Sequence, residues 1–357
     1  MKRILLYDID SKIPNLALMR LSAHYKKRGY EVILSRRIRH SKADKYFASS
    51  VFYSKISQQK IDSLKSLFGN GIDIGGSGVS LEKRLTPEIE RCFPDYQLYN
   101  HKQYAVGCLT RGCNSHCPFC LVSKKEGRLR QVGTFEDFVP EGQRNILLLD
   151  DNLLAFEDAE LLLSQIIERE YAVNFSQSLD IAYLNERKFA LLKRVNSRNA
   201  KFNKWMIYFS CNNVETIQLF IERKSFLQGF GKDAVTVITM YGFNTKLSED
   251  YERMLMIRKL RLVPFFQRYL PIPGVPERVP DDFFDIDLGQ VIRLTFRSNG
   301  QNWEKYLRWV NRRYFCVFGR YYLPLVKIIY RYNYKEGIHR FLRKPEMLTT
   351  EMYKSFL

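Results

Sequence analysis

Gly107-Cys108-Leu109-Thr110-Arg111-Gly112-Cys113-Asn114-Ser115-His116-Cys117-Pro118-Phe119-Cys120-Leu121-Val122 is the stretch that decides the reading of this chain. Cys113, Cys117 and Cys120 follow one another as Cx3Cx2C, which puts three thiolates on one short loop. Three thiolates hold three irons of a [4Fe-4S] cube and leave the fourth iron for a small-molecule ligand. A structural zinc site is the alternative, and it would recruit Cys108 or His116 as its fourth ligand.

Working outward, the seven cysteines are an odd number, and no signal peptide precedes them, so a disulfide framework is not expected and the chain reads as cytoplasmic. No window approaches the ~20 apolar residues of a membrane span. With 357 residues and 45% hydrophobic content the chain can bury one large core and a smaller one. Its 57 Lys plus Arg against 38 Asp plus Glu leave a net charge of +19, which favours polyanionic partners: nucleic acid, an anionic membrane surface or a phosphorylated substrate.

Before the cysteines the pattern is α/β. Lys2 to Asp8 has strand length, Leu16 to Arg28 has helical spacing, Gly29 stops that helix, and Glu31 to Leu34 begins a second strand. Further strands are expected at Tyr46 to Tyr53 and Gly71 to Ile74. Gly75-Gly76-Ser77-Gly78 forms a turn at a strand end, where such sheets place ligand crevices. From Tyr104 onward strands and helices alternate. Strands are expected at Asn145–Asp150, Ala172–Ser176, Trp205–Ser210, Ala234–Met240 and Val263–Leu270. Helices are expected at Asp158–Arg169, Glu186–Val195, Val214–Leu227 and Ser248–Leu260. Counting the strand that leads into the cysteines, this makes six, parallel and right-handed.

The cysteine loop resembles that of the radical S-adenosylmethionine (SAM) superfamily, and the half before it resembles the cobalamin-binding-type domain of one branch. The resemblance implies an α/β fold in three parts: a Rossmann-like domain over residues 1–100, a partial (β/α)6 barrel over 101–275, and a helical extension over 276–357. It implies a [4Fe-4S] cluster on Cys113, Cys117 and Cys120, reductive cleavage of SAM to a 5'-deoxyadenosyl radical, and a reductant such as flavodoxin or ferredoxin. Phe119 stands where the family sets an aromatic ring against adenine. Leu149-Asp150-Asp151-Asn152-Leu153 resembles the second-strand motif for the SAM amino group, and an N-cap is its alternative role. Asn174 to Asp180 resembles a Phe-x-Gln-Gly-Leu-Asp segment, with Ser178 in place of the glycine; Gln177 and Asp180 then suit ribose hydroxyls or a substrate amide, and a turn with a cap is the alternative. Tyr241 and Gly242 fall in the fifth-strand region that cradles adenine. Cys211, at the end of the fourth strand, reads as a hydrogen donor or as a buried structural thiol. In the cobalamin branch an Asp-x-His-x-x-Gly run follows the first strand. Asp8 to Asn15 has no histidine, so cobalamin is not expected to be required.

Residues 303–341 interleave aromatic and basic side chains, among them Arg308, Trp309, Arg312, Arg313, Tyr322 and Arg331. That composition suits a phosphate backbone with stacked bases, and equally a barrel floor or a membrane surface. The expectation is an enzyme acting on nucleic acid or another anionic substrate. The alternatives are modification of a peptide, lipid or small metabolite, and a non-catalytic iron-sulfur or zinc protein that binds nucleic acid.

Overall fold

The structure is a computed structural model that describes residues 2–231, 234–241, 243–246, 249, 253, 256–257, 259–269 and 272. They form two compact units, one of Met1–Leu179 with Arg187–Trp205 and one of Asp180–Glu186 with Met206–Tyr269. Among the described residues no helix is long and apolar enough to cross a membrane.

The first unit opens with β1 (Arg3–Asp8), α1 (Leu16–Lys27), β2 (Glu31–Ser35), β3 (Lys45–Ser49), α2 (Lys55–Phe68) and β4 (Ile72–Gly75), followed by the short α3 (Pro87–Glu90). The four strands form one parallel sheet in the order β2-β1-β3-β4. β1 is central because it is apolar on both faces. Ile4 and Leu6 pack with Leu18 and Leu21 of α1, whereas Leu5 and Tyr7 pack with Ile61 and Leu64 of α2. Both α1 and α2 start on a side-chain cap: Asn15 accepts from Leu18 N at 3.2 Å, and Ser54 accepts from Ser57 N at 3.1 Å. β1, α1, β2 and β4 fall where the sequence put them; β3 ends at Ser49, short of the expected Tyr53, and α2 and α3 were not expected.

The unit continues with β5 (Ala105–Gly107), β6 (Thr110–Arg111), α4 (Val122–Lys125), β7 (Arg130–Gln131), β8 (Asn145–Leu148), α5 (Ala159–Glu168) and β9 (Ala172–Phe175). After β10 (Leu179–Asp180) come α6 (Glu186–Arg194) and β11 (Asn196–Ser197). Strands β5, β8, β9 and β11 pair in the order β11-β9-β8-β5, all parallel. The second unit carries β12 (Ile207–Ser210), α7 (Val214–Glu222), α8 (Lys224–Gly229), β13 (Val235–Tyr241) and β14 (Val263–Arg268). Its sheet runs β10-β12-β13-β14.

All six strands of the expected alternation are present, but their pairing is divided between two sheets. The polar segment after α6 cannot continue as helix. It adds Asn196 and Ser197 to the edge of β9, then folds back so that Arg198 bridges Trp205 and the Trp205 indole donates to Val195 O at 3.3 Å. That detour delays the fourth strand from Trp205 to Ile207. The helix expected over 214–227 likewise breaks at Arg223, whose guanidinium reaches back to Leu184 O (3.1 Å) and Ala182 O (3.2 Å).

Candidate metal and cofactor site

The cysteine loop is anchored at both ends before it can hold anything. β6 enters it and β7 leaves it, paired antiparallel through Thr110 with Gln131 and Arg111 with Arg130. Gly112 sits at φ +92, where a Cβ would lie 2.4 Å from Arg128 O, so glycine is required there. Next to it, Cys113 N donates to Gly127 O at 3.1 Å.

The strand end after β8 holds the loop from below. Asp150 is buried, and its carboxylate accepts from Leu109 N at 3.1 Å and from Thr110 N and Thr110 Oγ1 at 2.6 and 2.8 Å. Asp151 accepts from Gly112 N at 2.9 Å. Burial raises both carboxyls to about 6, and the hydrogen bonds to Thr110 and Gly112 only partly offset it.

Three N–H groups address the sulfurs. Asn152 Nδ2 and Ser115 N each lie 3.4 Å from Cys113 Sγ, and Val122 N lies 3.4 Å from Cys120 Sγ. All three cysteines are half-buried, as is Phe119 between them. Donors of this kind stabilise negative charge on sulfur and tune cluster potentials, so the residues present fit a thiolate-held cluster. In a cube each thiolate takes its own iron. Cys108 is buried and its Sγ accepts from Arg111 Nε at 3.2 Å; burial raises its pKa. His116 is exposed.

A clamp that the sequence did not disclose surrounds this loop. Arg111, just before Gly112, lies 3.3 Å from Glu90 of α3 and 3.9 Å from Glu126 beyond α4, tying the loop's two ends to each other and to α3. Its only sequence signal is an arginine beside the motif, and the partners stand 21 residues before and 15 after it.

The remaining candidates are scattered. Gln177 is exposed, and Ser178 takes φ +63, the left-handed conformation that explains a glycine in the resembling segment. Asp180 accepts from Ala182 N at 3.0 Å and caps the turn Ile181–Tyr183. Cys211 is buried and its thiol is pushed up to about 12 by burial, the character of a structural thiol. Tyr241 ends β13, and Gly242, Arg308, Trp309, Arg312, Arg313, Tyr322 and Arg331 lie outside the described residues.

The edge of the first sheet where a cobalamin-type domain would place its cofactor is filled by its own side chains. Asp8 accepts from Ser11 N (3.0 Å) and the Tyr99 hydroxyl (2.9 Å) and pairs with Arg36 (3.3 Å), while Asn15 Nδ2 donates to Ser11 Oγ and Ser49 Oγ, both at 2.9 Å. With no imidazole in positions 8–15, these residues do not fit cobalamin.

No protein-family model matches the chain. Over 213 residues it is 25% identical to the tRNA-2-methylthio-N(6)-dimethylallyladenosine synthase of Chlorobaculum tepidum, covering 52% of this chain and 48% of that protein. The chain thus spans about half the length of this curated relative. Two crystal structures of Streptococcus suis SuiB, bound to S-adenosylmethionine and to the precursor peptide SuiA, share 11% identity at a TM-score of 0.37. They cover 73% and 82% of this chain, and 55% and 58% of theirs, correspondences too loose to fix a fold.

Proposed function

We propose that this chain is a radical SAM enzyme that modifies RNA. The observation that carries the first half is the cysteine loop, three thiols on a braced turn with N–H donors aimed at two of the sulfurs. A [4Fe-4S] cluster on Cys113, Cys117 and Cys120 would supply, with SAM on its open iron and an electron from a flavodoxin- or ferredoxin-type reductant, a 5'-deoxyadenosyl radical. Asn152, Ser115 and Val122 hold negative charge on the sulfurs. Asp150 and Asp151 fix the loop's entry, and Phe119 offers an apolar ring to adenine. Gln177, Asp180, Tyr241 and Gly242 are proposed as further cofactor contacts, and the basic aromatic residues of 303–341 as substrate contacts.

RNA as substrate is supported by the likeness to the Chlorobaculum tepidum tRNA-2-methylthio-N(6)-dimethylallyladenosine synthase and by the net charge of +19. Anaerobic reconstitution with iron and sulfide is the first test. The reading expects about four irons per chain with iron-sulfur absorbance. Stoichiometric zinc in the native protein and no such absorbance after reconstitution would overturn it.

A further inference from the structure

The carboxyl edge of the first sheet is unevenly charged. The loops leaving β1 and β2 and the start of α2 after β3 present Lys12, Arg37 and Lys55, all exposed. The carboxylates there are turned to internal use: Asp8 in the bonds already described, and Asp10 accepting from Ser50 Oγ (2.7 Å), Val51 N (2.7 Å) and Ser57 Oγ (2.7 Å). At the opposite edge Arg3 pairs with Glu31 at 2.9 Å, and the Arg3 backbone N–H donates to the Asp44 carboxylate at 2.6 Å.

Solubility explains exposed cations but not what lies among them. Val51, Tyr53 and Ile56 are 40%, 41% and 67% exposed, and Lys12 Nζ stands 5.9 Å from the Phe52 ring centroid. Cations interleaved with apolar and aromatic side chains suit a chain of phosphates with bases attached. This edge also adjoins the cysteine loop. Lys125, in the helix that begins two residues after Cys120, donates to Ser80 O (3.0 Å) and Lys83 O (3.4 Å) in the loop after β4.

From these juxtapositions we infer that the carboxyl edge of the first sheet docks the RNA substrate, with Lys12, Arg37 and Lys55 on phosphates and Tyr53 under a base, beside the cysteine loop. The inference rests on the RNA reading above and names the surface that serves it.

The test is fluorescence anisotropy of a labelled, unmodified tRNA transcript with the reconstituted full chain across about 50–200 mM KCl. The triple variant Lys12→Gln/Arg37→Gln/Lys55→Gln should flatten the slope of log affinity against log salt by about two to three units. Tyr53→Ala should weaken binding about 5- to 100-fold with the slope unchanged. Lys65→Gln, at the far end of α2, should change neither. If the triple variant loses its circular dichroism, each single variant should flatten the slope by about one unit. Folded variants that keep the wild-type slope and affinity would overturn this docking edge while leaving RNA binding intact. A wild type that releases 5'-deoxyadenosine yet binds no RNA would overturn the RNA reading, and the docking edge with it.

Discussion

Asp150 shows what one residue in a sequence can hide. An acidic side chain after an apolar strand looks the same whether it meets a bound ammonium or the amides of a loop forty positions earlier, and its oxygens here accept from Leu109 and Thr110. Asp150→Ala would leave two buried N–H donors without an acceptor at about 1–3 kcal/mol each, measurable as a lower urea midpoint. Its folded pKa of about 6 lies above the ordinary 3.8, so its contribution to stability is complete below about 3.8 and is lost as pH rises through about 6. The difference in unfolding free energy between pH 5.5 and 7.5 should therefore shrink in Asp150→Asn. An unchanged difference would mean that the carboxyl titrates at its ordinary value. Among the sulfurs, Cys113→Ala, Cys117→Ala and Cys120→Ala should each abolish iron retention, and Cys108→Ala should not, since its thiol is spent on Arg111.

Elements were legible where one physical cause dominates. β1 reads as a strand because its apolar run is buried on both faces, and α1 reads as a helix because its apolar residues recur at helical spacing and Gly29 stops it; α2, capped by Ser54, was not read. Elements that depend on distant partners were not legible. The break between α7 and α8 is made by carbonyls about forty residues before Arg223, and β11 exists only because β9 offers an edge. The cysteine motif was read at once, yet its bracing by Asp150, Asp151 and the Arg111 clamp comes from residues 15 to 40 positions away. One element-scale consequence is sharp. In Gly112→Ala the new Cβ would collide with Arg128 O at positive φ, at a cost of at least about 1–3 kcal/mol. Iron content after reconstitution should fall well below wild type, and full occupancy would show that the turn tolerates a side chain.

At the scale of the whole molecule, the cysteine loop belongs to the first of two units, and the chain carries a net charge of +19. The first sheet is a parallel four-stranded sheet whose carboxyl edge is occupied by hydrogen bonds among Asp8, Asn15, Ser49 and Tyr99. SAM turnover should accordingly proceed without added cobalamin, and stoichiometric cobalamin retained through purification would contradict that. The central claim, radical cleavage of SAM at the Cys113, Cys117 and Cys120 loop, is tested most directly by chromatographic assay of 5'-deoxyadenosine after anaerobic incubation of the reconstituted chain with SAM and dithionite. The account predicts 5'-deoxyadenosine from the wild type and none from any of the three cysteine variants. Release that persists in those variants, or a fully iron-loaded wild type that releases none, would contradict it.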